Sequence, residues 1–292
     1  MKYESKSYKA FKVLDVVILL LIAFITLFPF IYLFSISFSS SKAVLAGGVN
    51  FYPVDFNWGA YKGILEQSNF WLGYKNTIIY TVFGTLISLF MTIICAYPLS
   101  KKNLVGSSIF LKLIVFTMFF GGGLIPTYLL IQKIGLVNTR YAILLPGAIN
   151  AYNVLIMKTF FQGLPESLEE AAKIDGLNQI GVLIKIVLPL SKPIIATITL
   201  FISVGFWNDW FSSLIFLNND KLYPVTLFLR NIIMGTTMAS KSGQTMDASS
   251  AQSLPQTLQA AATMLVVLPI LCVYPFVQKY FVQGVMIGSI KG

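Results

Sequence analysis

Six stretches of the chain run nearly free of charge for longer than the ~20 residues a helix needs to cross a bilayer core. They cover about 14–37, 76–99, 108–131, 141–162, 192–216 and 258–279. The pattern predicts an all-helical integral membrane protein with six tilted transmembrane helices. Residues 1–13 form a polar lead-in, 14–281 the membrane domain and 282–292 a tail. Between the spans lie two long loops, 38–75 and 217–257, and one polar segment, 163–193. The first apolar run is too long for a cleaved leader, and the "AVLAGG" after it is a poor cleavage site.

Composition agrees. The 292 residues are 56% hydrophobic and 11% charged, with a mean hydropathy of +0.77, whereas soluble domains carry about 25% charged residues. The net charge of +10 has no nucleic-acid-reading motif beside it. It reflects cations collected on one side of the membrane. Lys2, Lys6, Lys9 and Lys12 precede the first span, and Lys101, Lys102 and Lys112 stand around the second connection. Lys158, Lys173, Lys185 and Lys192 flank or fill 163–193, and Lys279 and Lys291 follow the last span, so thirteen of 21 cations share a side. The positive-inside rule then makes both termini and 163–193 cytoplasmic. The two cysteines, Cys95 and Cys272, both lie in apolar runs, so no disulfide framework is expected. The absence of histidine argues against a His-ligated metal or a His base.

The polar segment reads "GLPESLEEAAKIDGLNQIGVLIKIVLPLSKP". Pro165 suits a helix start, Ser167 and Glu170 have the spacing of a capping box, Glu169 and Lys173 form an i,i+4 pair, and Gly176 stands where a left-handed stop is needed. A helix over about 166–175 is predicted, far too short to span. Its face of Leu164, Leu168, Ala171, Ala172 and Asp175 is small, while Glu166, Glu169 and Glu170 are expected to be exposed. A helix lying on lipid would want bulky apolar residues below and cations above. Three glutamates favour docking into another protein.

Glu170-Ala171-Ala172, then Gly176, then Ile186-Val187-Leu188-Pro189 resembles the EAA signature, E-A-A-x3-G-x9-I-x-L-P, of bacterial ABC-importer permeases. "FWNDWFSSLIFL", "KPIIATITLF" and "YPFVQKYFVQGVMIGSIKG" resemble the carbohydrate-importing branch. The triple glycine with "LIPTYLL" resembles permeases of complex-polysaccharide and oligosaccharide importers. The resemblance implies a type I importer permease fold in a bacterial cytoplasmic membrane. The short helix would be the coupling helix that enters a cleft of a cytoplasmic ATPase dimer, with Glu169, Glu170, Ala171, Ala172, Asp175 and Gly176 at the joint. Ile186, Leu188 and Pro189 would return the chain to span five. The implied partners are a second homologous permease, the ATPase, an extracellular solute-binding protein and an oligosaccharide. A lysine- and isoleucine-rich composition suggests a low-GC bacterium, in which that binding protein would be a lipoprotein. In such importers ATP closes the ATPase dimer, and the paired permeases rock between inward- and outward-facing states. No Walker A sequence occurs here, so ATP and Mg belong to the partner and this chain needs no cofactor.

Polar groups at membrane depth are site candidates by default. Trp207, Asn208, Asp209 and Trp210 in span five, with Asn150, Tyr152 and Asn153 in span four, are candidates for a translocation lining. Helix–helix hydrogen bonding or an interfacial belt is the structural alternative. Gly121, Gly122, Gly123 and Pro126 suit a kink or close packing. The polar stretch "MGTTMASKSGQTMDASSAQS" is either a connector or a finger that touches an extracellular partner. The competing functions are an ABC importer of another solute such as a peptide, a secondary transporter, and an embedded enzyme using Asp209 with the glutamates. Six spans without an internal repeat weigh against the secondary transporter, and opposite membrane sides weigh against the enzyme.

Overall fold

A computed structural model describes residues 6–241 and 255–289. Among them every regular element is helical. In chain order these are α1 (Lys6–Ser37), α2 (Ser41–Leu45), α3 (Gly59–Leu65), α4 (Ser68–Ser100), α5 (Ser107–Phe119), α6 (Leu124–Lys133), α7 (Tyr141–Leu144) and α8 (Ala151–Gln162). There follow α9 (Glu166–Ile174), α10 (Gln179–Val182), a π turn (Leu183–Val187), α11 (Leu188–Leu190), α12 (Lys192–Asn208) and α13 (Phe211–Phe216). A 3-10 turn (Asp220–Leu222), α14 (Val225–Lys241) and α15 (Pro255–Ser289) complete the order. The chain divides into two compact units, 1–68 with 229–269, and 69–228 with 270–292.

Three helices, at Tyr8–Ser37, Ser68–Ser100 and Gln256–Val273, are long and apolar enough to cross a membrane. They match expected spans one, two and six, although the helices that contain them, α1, α4 and α15, are longer than the apolar pattern indicated. α1 continues outward to Lys6 and α15 through Ser289, into the stretch expected to be tail.

Spans three, four and five are not single straight helices. α5 and α6 meet at 113°, where Phe120 turns extended and Gly123 takes φ +82°, ψ 174°, a conformation open to glycine. Nothing stands within 4 Å of where a Cβ would sit on Gly121 or Gly123. Gly123 serves the break. The stretch expected as span four is the single turn of α7, a loop through Pro146 and Gly147, and the 12 residues of α8, which reach about 18 Å. It is not among the described helices or bent pairs long and apolar enough to cross. Span five breaks at Asp209 between α12 and α13. Apolar content marked these segments, but a 20-residue apolar window cannot tell one helix from two with a turn between them.

The first unit holds a knot of aromatic rings in the 38–75 loop. Phe38 stacks on Phe56 (5.5 Å, 7°) and on Tyr61 (4.5 Å), with Trp58 edge-on at 5.0 Å. Ser37 and Tyr61 share a 2.9 Å hydrogen bond beneath it. This long loop is therefore folded on itself. In the second loop, α14 occupies 225–241, and the polar residues 242–254 lie outside the described residues.

In the second unit α4 is the backbone of two apolar clusters. Its C-terminal third brings Ala96, Tyr97 and Leu99 against Val154, Met157 and Phe161 of α8, Val182, Val187 and Ile198. Nearer its start, Tyr80 packs with Ile131, Ala142–Leu144, Phe216 and Leu217. Ser88 lies between these two levels, about 12 Å along the helix from each.

Candidate functional site

The polar segment 163–193 is built largely by local rules. Pro165 (φ −60°, ψ 122°) takes the N-cap position itself, with no side-chain cap bond. That corrects the expected capping box. With the proline at N-cap, Ser167 falls inside the first turn and its hydroxyl does not close the box. Glu166 and Glu169 still stand in the first turn, where negative charge is favoured by the free N–H groups. The C-terminal end is a full Schellman motif. Gly176 at φ +83° donates its N–H to Lys173 O, and Leu177 donates to Ala172 O, both at 3.0 Å. Leu177 and the buried Ala172 also join the same apolar cluster.

The small face is only partly used within this chain. Ala172 is buried and Leu164 half-buried, while Leu168, Ala171, Glu170, Asp175 and Gly176 are exposed. Glu169 departs from expectation, with 13% of its side chain exposed. It is not left to Lys173: both of its carboxylate oxygens are held by Lys101 Nζ, from just past the end of α4. Lys101 Nζ also stands 4.3 Å over the Tyr97 ring, and Tyr97 Oη donates to Gln179 O and Oε1 at 3.3 Å. One end of α4 therefore grips the segment on both sides of Gly176. Beside this joint, Lys102 and Glu166 pair at 2.7 Å with 78% and 67% of their side chains exposed. The hydrogen bond from Lys102, and its charge, hold the Glu166 carboxyl below its usual value. The small stabilisation from that pair is present at neutral pH and is lost as pH falls through the lowered value.

Ile186 and Leu188 are half-buried and Pro189 is exposed, whereas Val187 between them and Val182 are fully buried. The chain then turns at buried Ser191, whose N–H is shared by Val187 O and Leu188 O. Across this turn Gln179–Leu190 and Lys192–Asn208 lie 83° apart. The π turn directly before Pro189 widens the helix, and Pro193 in the first turn of α12 fits the restart.

A second feature lies at the level of Ser88, a cavity of about 670 Å³. Phe201, Ile202 and Phe206 form an apolar wall, and Asn150, Tyr152, Asn153, Asn208, Asp209 and Ser212 bring the polar groups. Asn150 Oδ1 caps α8 by accepting from Asn153 N at 3.1 Å. Asp209 Oδ1 accepts from Ser212 N at 3.0 Å and so caps α13. Asn208 Nδ2 donates to Val204 O at 3.0 Å. The broken helices of spans four and five thus open onto the cavity, an arrangement tolerated at membrane depth where irregular backbone lines a cavity. Trp207 and Trp210 are not among its lining residues: Trp207 meets Tyr74 edge-on (6.3 Å) and Trp210 meets Phe211 (5.6 Å).

One wall depends on a glycine. A Cβ on Gly84 would fall 2.5–2.7 Å from three atoms of the Phe206 ring. Gly84→Leu is expected to drive that ring into the cavity and to cost about 1–3 kcal/mol of stability. Thermal unfolding in detergent checks this, and adding Phe206→Ala should recover most of the loss.

The sequence did not point to Lys101, Tyr97, Gln179, Ser88 or Phe206. A basic pair directly after a span, facing a short acidic helix, is the one signal that could have suggested Lys101, and it does not specify which glutamate.

The comparisons agree with this anatomy. Residues 69–287 match the family model described as binding-protein-dependent transport system inner membrane component. Protein LplC of Bacillus subtilis (strain 168) is 40% identical over 290 residues, which cover 99% of this chain and 98% of that protein. The polygalacturonan/rhamnogalacturonan transport system permease protein YtcP of the same organism is 40% identical over 275 residues, 94% of this chain and 96% of YtcP. Among solved structures, a bacterial ABC transporter involved in import of the acidic polysaccharide alginate has a chain that superposes with a TM-score of 0.86. It is 36% identical, covering 96% of this chain and all of that one.

Proposed function

This chain belongs to the family of binding-protein-dependent transport-system inner-membrane components, and on that premise we propose that it is one of two paired permeases carrying an oligosaccharide or polysaccharide fragment into a bacterial cell. Family membership makes it a membrane subunit of an ABC importer and not an enzyme, with ATP hydrolysis on a partner. The observation that carries the saccharide reading is the cavity. The amides of Asn150, Asn153 and Asn208 can serve sugar hydroxyls as donors and acceptors, beside the apolar wall of Phe201 and Phe206. Relatives named for polygalacturonan, rhamnogalacturonan and alginate support saccharide over peptide. Asn150, Asn153, Asn208 and Asp209 are the proposed pathway residues, with Trp207 and Trp210 flanking them.

α9 is the proposed coupling helix, and Glu170, Ala171, Asp175 and Gly176 are its exposed surface for an ATPase that binds ATP and Mg. Ala172 and Glu169 seat it on this chain, and Ile186, Leu188 and Pro189 return the chain to α12. The distribution of lysines supports cytoplasmic termini. Loops 38–75 and 217–257 then face an extracellular binding protein, proposed to be a lipoprotein.

Co-purification from native membranes tests the reading. The intact chain should bring a second permease and an ATPase. Glu170→Arg should retain the permease and weaken ATPase retention by about tenfold, the effect of ~1.4 kcal/mol at a contact. If no ATPase accompanies the intact chain, the importer reading fails and a secondary transporter replaces it.

A further inference from the structure

The charge of the cavity narrows its cargo. We propose that this chain's share of the pathway accepts uncharged, hydroxyl-rich saccharide units and disfavours uronates, with Asp209 setting the preference, and so differs in cargo from the relatives named for polygalacturonan and for the acidic polysaccharide alginate; the proposal rests on reading the cavity as the translocation pathway. Among the described residues that line it, Asp209 is the one with a charged side chain, and no lysine or arginine is present. The cation nearest in sequence to the lining, Arg140, stands outside it and donates to Asn76 Oδ1 at 3.2 Å.

Helix ends do not reverse that sign. α8 and α13 begin at the cavity and α12 ends there. A helix terminus carries roughly half a charge, positive at the N-terminus and negative at the C-terminus. The α12 end therefore offsets one of the two starts, and the other, on the six-residue α13, has the full charge of Asp209 seated on it. The sum is negative. A uronate entering would meet a like charge with no counter-ion on this wall. A neutral sugar meets the amides of Asn150, Asn153 and Asn208 and loses no ionic solvation.

The test uses the reconstituted importer with Cys95→Ser, Cys272→Ser and Ser212→Cys, so that the thiol to be read lies on the cavity wall. Rates are measured with methanethiosulfonates bearing an aminoethyl, a hydroxyethyl or a sulfonatoethyl group, each normalised to a free thiol. The cationic reagent should outrun the anionic one by about tenfold, and Asp209→Asn, which keeps a capping oxygen, should remove most of that ratio. Galactotriose should protect the thiol at lower concentration than trigalacturonate. Equal rates, faster anionic modification or better protection by trigalacturonate would overturn the proposal while leaving the pathway reading intact. A thiol that no reagent reaches in any nucleotide state, yet reacts after denaturation, would overturn the pathway reading and the proposal with it.

Discussion

Lys101→Glu should separate ATP hydrolysis from transport. Lys101 and Glu169 form an ion pair in which both side chains are mostly covered, at 28% and 13% exposure. Substitution places a second carboxylate against a nearly buried one and removes the cation above Tyr97. Breaking a buried pair costs 3–5 kcal/mol. For a partly exposed pair about 3 kcal/mol is a fair figure, equivalent to roughly a hundredfold in how often α9 is seated. Sugar uptake into proteoliposomes should fall by that order, with the second permease still bound and basal ATPase activity retained. The double exchange, Lys101→Glu with Glu169→Lys, should restore most of the uptake. If it is as inactive as either single change, the pair is not what seats the helix. Lys102→Ala, at the solvated pair with Glu166, is expected to leave uptake near the parent value.

The second large effect is on stability, at the other end of α4. Asn76 is fully buried. It donates through Nδ2 to Lys221 O (2.8 Å) and Tyr223 O (3.1 Å), and it accepts from Arg140 Nη2. Thr77 Oγ1 accepts from Val225 N at 2.9 Å, and Tyr80 Oη donates to Leu222 O at 2.8 Å. Three polar side chains of α4 thus pin the 3-10 turn and the start of α14 onto it. Asn76→Leu removes three bonds, leaving two carbonyls without their donor and Arg140 with Tyr80 but without its amide acceptor. At 1–3 kcal/mol for each buried group left unsatisfied, with some water admitted, the expected loss is about 3–5 kcal/mol. Thermal unfolding of the purified protein should show it. Asn76→Asp, which keeps an acceptor for Arg140 but has no donors for the carbonyls, should show an intermediate loss. A wild-type transition for Asn76→Leu would mean that the turn is held by other contacts.

What could be read from the chain was what its neighbours in sequence decide. The helical class, the membrane-length runs at α1, α4 and α15, and the short polar helix with its stop at Gly176 all follow from periodicity, composition and one left-handed residue. The EAA spacing identified the family for the same reason, since it is a local string. Tertiary structure decided whatever joins distant residues. Lys101 and Glu169 are 68 positions apart and Asn76 and Tyr223 are 147 apart, and no local rule pairs them. The breaks at Pro146 and Asp209 also belong to the fold, whereas the triple glycine already marked the kink at Gly123. A turn inside an apolar run is stable only where side chains such as Asn150 and Asp209 take over the freed N–H groups. The cavity follows from those breaks, and so it became visible only once the helices had been brought together.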